Sequence, residues 1–98
     1  MTEITKVEGE NDKNEVFLYA ISTCGWCKKV KKLLKEMDIE YEYIDIDTVS
    51  GSNSKEIREE LKEYNPSGSC PTLVINDGGD VIIGYQKDKI KEVLEDEG

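Results

Sequence analysis

The most informative segment of the chain is EVFLYAISTCGWCKKVKKLLKEM, residues 15–37. Its continuous apolar run at residues 16–21 predicts a short strand that is buried on both faces. From residue 26 onward, apolar side chains recur at helical spacing between lysines, which predicts an amphipathic helix with a basic outer face. Thr23 is the predicted cap of that helix. Cys24 and Cys27 therefore fall at the first turn of a helix, directly after a buried strand.

That position predicts reactive thiols. The unpaired amides and the partial positive charge of a helix N-terminus favour a thiolate over a thiol. An ordinary cysteine is only about 3% thiolate at pH 7, whereas a cysteine whose pKa is lowered to near 7 is about half ionised. The pair of cysteines therefore indicates redox chemistry.

Length and charge limit the possible partners. The chain has 98 residues, which is enough for one domain with a single core. Acidic residues outnumber basic ones 22 to 13, giving a net charge of −9, so we expect no nucleic-acid partner and instead expect proteins with a basic docking face. The N-terminal residues do not resemble a secretory signal, and no apolar stretch approaches the length of a membrane span, so we expect a cytoplasmic protein without a membrane partner.

The remaining pattern predicts one compact domain. Residues 1–14 are polar and are expected to be a flexible leader or a short edge strand, and residues 15–98 to be the folded domain. Strands are predicted at residues 41–47, 72–75 and 81–83, the last two as a hairpin, with further helices after a capping Asn53 and at residues 87–95. The predicted order is β-α-β-α-β-β-α. This predicts an α/β fold with helices on the faces of one mixed four-stranded sheet.

A structural zinc site is the main alternative reading of a Cys-x-x-Cys pair. Such a site needs four ligands, and the chain contains three cysteines and no histidine. We therefore expect no metal ligands in this chain.

The motifs together resemble those of the glutaredoxin branch of the thioredoxin superfamily. They are Cys-Gly-Trp-Cys between strand and helix, the Cys70-Pro71-Thr72 sequence before the third strand and Gly84-Tyr85 after the fourth. The resemblance covers roughly residues 15–95 and implies a three-layer thioredoxin-like fold. It implies that Cys24 is the nucleophile and Cys27 the resolving thiol, and that Pro71 is a cis-proline facing them. The residues expected around the substrate are Thr23, Gly25, Trp26, Cys70, Pro71, Thr72, Gly84 and Tyr85.

Two of these residues have more than one interpretation. The resemblance places Trp26 beside the bound partner, but its spacing also allows it to begin the apolar stripe of the helix. Cys70 is interpreted as a small apolar filler, as a third redox thiol or as an extra metal or cluster ligand.

The chain departs from the glutaredoxin pattern at two places that concern the electron donor. Glutaredoxins that bind glutathione commonly have a basic residue where this chain has Ile21, and the segment from Gly84 to Asp88 resembles instead the redoxins that serve ribonucleotide reductase and are recharged by a disulfide reductase.

We therefore expect a monomeric dithiol–disulfide oxidoreductase that reduces protein disulfides without strict dependence on glutathione. Its only redox group would be the Cys24–Cys27 disulfide, and a disulfide reductase or a low-molecular-weight thiol would supply electrons. The alternative is an iron–sulfur carrier, which Gly25 favours and Cys27 disfavours. A non-catalytic binding module is the third possibility, although such modules typically lose one of the two thiols.

Overall fold

The computed structural model describes residues 4–49 and 52–94. Within these residues, five strands and three helices follow one another, together with a short 3₁₀ turn at Asn76–Gly78. Their bounds are β1 Thr5–Val7, β2 Val16–Ala20, α1 Gly25–Glu36, β3 Tyr41–Asp45, α2 Ser52–Tyr64, β4 Thr72–Ile75, β5 Asp80–Ile83 and α3 Lys87–Leu94.

The strands form one mixed sheet in the order β1-β3-β2-β4-β5. β2 and β3 run parallel, as expected for strands joined through a helix, and the other three pairings are antiparallel. In the described part of the chain the sheet has five strands rather than the predicted four, because Thr5–Val7 pairs with the outer edge of β3. A three-residue strand with only one partly buried side chain leaves almost no alternation in the sequence.

Helices cover both faces of the sheet, which confirms the predicted three-layer α/β fold. On one face, α1 and α3 pack against alternate residues of the central strands, with Leu18, Leu34 and Ile90 fully buried. On the other face, α2 packs Ile57 and Leu61 against the side chains that point the opposite way. The run at residues 16–21 is apolar throughout because β2 contributes to both cores.

Several predicted boundaries differ from the structure. β3 ends at Asp45 rather than at residue 47, although Ile46 is still buried beside α2. Asn53 lies inside α2, which begins at Ser52, so it is not the cap. The predicted end of α3 at residue 95 lies outside the described residues.

In residues 4–49 and 52–94, no helix combines the length and the apolar character that crossing a membrane requires.

Candidate active site

Cys24 is the N-cap of α1. Its backbone is extended, with φ −85° and ψ 120°, and its Sγ accepts a hydrogen bond from the Cys27 backbone N–H at 3.4 Å. The prediction that Thr23 caps the helix is therefore wrong, since Thr23 lies exposed one residue before the cap. A sulfur replaces the usual hydroxyl or carboxylate oxygen at this position, which brings the thiol directly to the unpaired amides of the first turn.

The surroundings of Cys24 favour its ionised form. Partial desolvation raises the pKa of the thiol, but hydrogen bonds from the Cys27 backbone, the Cys27 thiol and the Trp26 backbone outweigh it, so the net pKa lies below the ordinary value. Cys24 remains partly exposed, so an incoming molecule can reach its sulfur.

Cys27 lies beneath Cys24 and is fully buried in the core between the sheet and α1. Burial raises the pKa of its thiol to about 12, the Ile21 backbone opposes this shift, and the neighbouring Cys24 thiolate adds to it. The two cysteines are thus distinguished by environment as one exposed, readily ionised sulfur and one buried, protonated sulfur. All three cysteines are free thiols.

Asp47 anchors the loop that carries Cys24. Its carboxylate accepts hydrogen bonds from the Ser22 backbone N–H at 2.9 Å and from the Ser22 hydroxyl. These two bonds hold the pKa of Asp47 below its usual range. The pairing connects the residues after β2 to the residues after β3. It has no local sequence signature, because Ser22 and Asp47 are 25 positions apart.

The loop before β4 lies next to the thiols. The Cys70–Pro71 peptide bond is cis, as the resemblance implied, and Pro71 is buried with its carbonyl accepting from the Gly84 N–H at 2.8 Å. Cys70 is partly buried and contacts both cores. Burial raises its pKa to about 11, and the nearby Cys24 thiolate adds to that shift. The structure thus places Cys70 among partly buried side chains that pack against both cores.

Asn65, which the sequence analysis missed, organises this loop. Its side chain is 2% exposed. The amide nitrogen lies within hydrogen-bond distance of the Ser69 carbonyl, the Ser69 hydroxyl and the Thr72 hydroxyl, at 3.0 to 3.2 Å, and the amide oxygen accepts from the Ser67 backbone and hydroxyl. Thr72 is fully buried and turns its hydroxyl toward this network, so its side chain supports the loop and does not face solvent.

A stacked aromatic pair, with one ring exposed and the other partly buried, lies near Cys24. Trp26 is 57% exposed and stacks on Tyr85 with ring centroids 6.0 Å apart. The Lys29 ammonium lies 4.6 Å from the centre of the Trp26 ring. The buried stripe of α1 therefore begins at Cys27 rather than at Trp26. Gly84, just before Tyr85, has a positive φ of 83°, a conformation that glycine adopts without steric cost.

The described residues contain no group of three or more cysteine, aspartate or glutamate side chains arranged to hold a metal ion. Two thiols in contrasting environments, placed where a buried strand meets a helix, define a redox protein of the thioredoxin-like class.

Comparison with known proteins identifies the family. The glutaredoxin family model matches residues 16–79. A glutaredoxin-like 8.6 kDa protein encoded in the rubredoxin operon of Clostridium pasteurianum is 35% identical over 78 residues, which cover 80% of this chain and 95% of that protein. The structure of the glutaredoxin from Methanosarcina mazei superposes with a TM-score of 0.85 at 39% identity, covering 95% of this chain and 88% of that one.

Methanoredoxin from Methanosarcina acetivorans also superposes, with a TM-score of 0.82 at 34% identity, covering 87% of this chain and 88% of that one. The chain belongs to the glutaredoxin family and, like the members of that family, is a thiol–disulfide oxidoreductase.

Proposed function

We propose that the protein reduces disulfide bonds of other proteins through Cys24 and Cys27, with Cys24 as the nucleophile and Cys27 as the resolving thiol. The observation that carries this proposal is the position of the Cys24 sulfur at the helix N-terminus, 3.4 Å from the Cys27 amide, with the Cys27 side chain buried beneath it. Only one of the two thiols is both accessible and readily ionised, which supports Cys24 as the attacking thiol.

The reaction proceeds in two exchanges. The Cys24 thiolate attacks one sulfur of the partner disulfide, forming a mixed disulfide and releasing the other partner sulfur as a thiolate, which takes up a proton. Cys27 then loses its proton and attacks the Cys24 sulfur, which forms the Cys24–Cys27 disulfide and releases the second partner thiol. Two electrons pass from the two cysteines to the partner. The two partner thiolates take up two protons, one released by Cys27 and one from solvent, to which Cys24 gave its own proton before the attack.

The first exchange itself prepares the second. The negative charge of Cys24 contributes to the raised pKa of Cys27. That charge disappears when Cys24 becomes part of the mixed disulfide, so the Cys27 thiol ionises more readily at that stage. Burial is the larger cause of the raised pKa, so Cys27 stays protonated in the free reduced protein.

We further propose that recharging the Cys24–Cys27 disulfide does not strictly require glutathione, and that a disulfide reductase or another low-molecular-weight thiol can supply the electrons. Ile21 is partly buried against the core beside α2, and it offers no positive charge to a glutathione carboxylate. The protein is expected to act as a monomer in the cytoplasm, where thiols are kept reduced.

The iron–sulfur alternative is less well supported by the thiols of this chain. Cys27 is buried and Cys70 has a raised pKa, which leaves Cys24 as the one accessible thiolate, and the described residues offer no convergent set of ligands. A colourless, iron-free protein after anaerobic purification is the expected result. Stoichiometric iron and sulfide bound through Cys24 would favour the alternative.

Trapping the mixed disulfide tests the proposal. Cys27→Ser should accumulate a covalent adduct with a disulfide-containing protein such as insulin, whereas Cys24→Ser should form none and lose all turnover. Cys70→Ser is the matched control and should turn over normally. Intact-protein mass spectrometry detects the adducts, and the rate of insulin reduction measures turnover. Turnover by the Cys24→Ser variant would refute the assignment of the nucleophile.

A further inference from the structure

The charges of this acidic protein are unevenly distributed. Helix α1, Gly25–Glu36, contains five lysines and one glutamate, a net charge of +4. The whole chain carries −9, which leaves −13 for all other residues. The active-site helix is therefore a basic element in an otherwise acidic molecule.

Three of these lysines form an exposed strip along the helix. Lys28, Lys32 and Lys35 are spaced by four and three residues, so they lie on one face, and all three are exposed. None of them forms an ion pair within residues 4–49 and 52–94. By contrast, Lys31 on the same helix pairs with Asp45 at 3.1 Å. The lysine strip begins one turn from Cys24 and has no partner in the described part of the chain.

The Trp26–Tyr85 pair lies at the same end of α1. Trp26 is adjacent in sequence to Cys27 and two residues from Cys24, and its exposed indole, stacked on the partly buried Tyr85, presents an apolar surface. Lys29 over the Trp26 ring adds a further positive charge to that surface. A surface with aromatic rings beside the reactive sulfur and positive charges along the helix fits a segment with acidic side chains around its cysteine.

We propose that the lysine strip and the Trp26–Tyr85 pair recognise an acidic protein segment, in which aspartate or glutamate residues flank the disulfide that Cys24 attacks. This inference rests on the proposed function and specifies its substrate class. It reverses the expectation from net charge alone, which favoured partners with a basic docking face. The rest of the chain carries a net charge of −13 and would on balance repel such a segment, so attraction should be strongest at the helix that carries the thiols.

Two synthetic peptides test the substrate class. Both contain the same disulfide ring, flanked by glutamates in one and by lysines in the other, and each is reduced by the prereduced protein under second-order conditions. We expect the acidic peptide to react about tenfold faster at low ionic strength, and the two rates to converge in about 0.5 M NaCl, because salt screens exposed charges.

Charge reversal locates the effect. Lys32→Glu combined with Lys35→Glu should lower the ratio of acidic to basic peptide rates by about tenfold. Lys55→Glu combined with Lys62→Glu is the matched control, because both lysines are exposed on α2 and the change in net charge is identical. Any change in the intrinsic reactivity of Cys24 affects both peptides equally and cancels in the ratio.

Each outcome bears on the inference. Equal rates for the two peptides would overturn it while leaving the proposed function intact, and so would equal shifts in the ratio from both pairs of substitutions. Failure to reduce either peptide would overturn the proposed function together with the inference. If the substituted proteins do not fold, the unmodified protein still supplies a test. A ratio of acidic to basic peptide rates that does not fall when NaCl is added would overturn the inference.

Discussion

Asn65→Ala is predicted to destabilise the domain by removing the centre of the network before β4. The Asn65 amide has two hydrogens for the three acceptors around it, and its oxygen faces the exposed Ser67, which water can satisfy after truncation. About two buried hydrogen bonds are therefore lost, each with a net contribution of about 1 kcal/mol. With the packing lost at a residue that is 2% exposed, we expect unfolding to require about 2 to 3 kcal/mol less free energy.

Urea denaturation measures this difference, and the midpoint of thermal unfolding should fall by roughly 10 °C. Ser67→Ala is the matched control, since it removes only an exposed partner of the same amide and should cost no more than about 0.5 kcal/mol. The rate of insulin reduction should also fall in Asn65→Ala, while alkylation of Cys24 stays unchanged because Asp47 and α1 hold that residue. A loss of less than about 0.5 kcal/mol would refute the role assigned to Asn65.

Two further predictions concern the surface near the thiols. Trp26→Ala should change the free energy of unfolding by no more than about 0.5 kcal/mol, because the indole is 57% exposed. It should nevertheless lower the rate of protein disulfide reduction, and an unchanged rate would show that the ring does not contact the partner. Gly84→Ala should lower the free energy of unfolding, measured by urea denaturation, by about 1 to 2 kcal/mol, because the φ of Gly84 is 83°. Gly25→Ala, at a helical glycine with open space around it, should be neutral or stabilising, and equal losses in both variants would contradict the backbone argument.

The fold was largely predictable because its strongest signals are local. The apolar run of β2, the alternation in β3 and the turn sequence after β4 each encode an element within a few residues. β1 was uncertain because a three-residue edge strand depends on its partner β3 more than on its own side chains. The cap was misassigned to Thr23 because threonine is the commoner cap, whereas the chain uses the Cys24 sulfur.

The supporting residues of the site could not be predicted in the same way. Asp47 reaches Ser22, and Asn65 reaches Thr72, only after the strands bring them together. Asn65 precedes a proline at the end of a helix, but such a sequence predicts only where the helix stops and not which groups the asparagine side chain will reach. The resemblance supplied the cis-proline and the neighbourhood of Tyr85, for which spacing alone has no signature.

Cys24 ionises at a lower pH than an ordinary thiol because it caps α1, while Cys27 stays buried and protonated. The most direct measurement is the rate of iodoacetamide alkylation of each cysteine in the reduced protein as a function of pH, with peptides resolved by mass spectrometry. We expect the Cys24 rate to rise with a midpoint below the ordinary value of about 8.5, and Cys27 to remain unmodified throughout that range. A Cys24 midpoint at or above about 8.5, or alkylation of Cys27 at the same rate, would contradict it.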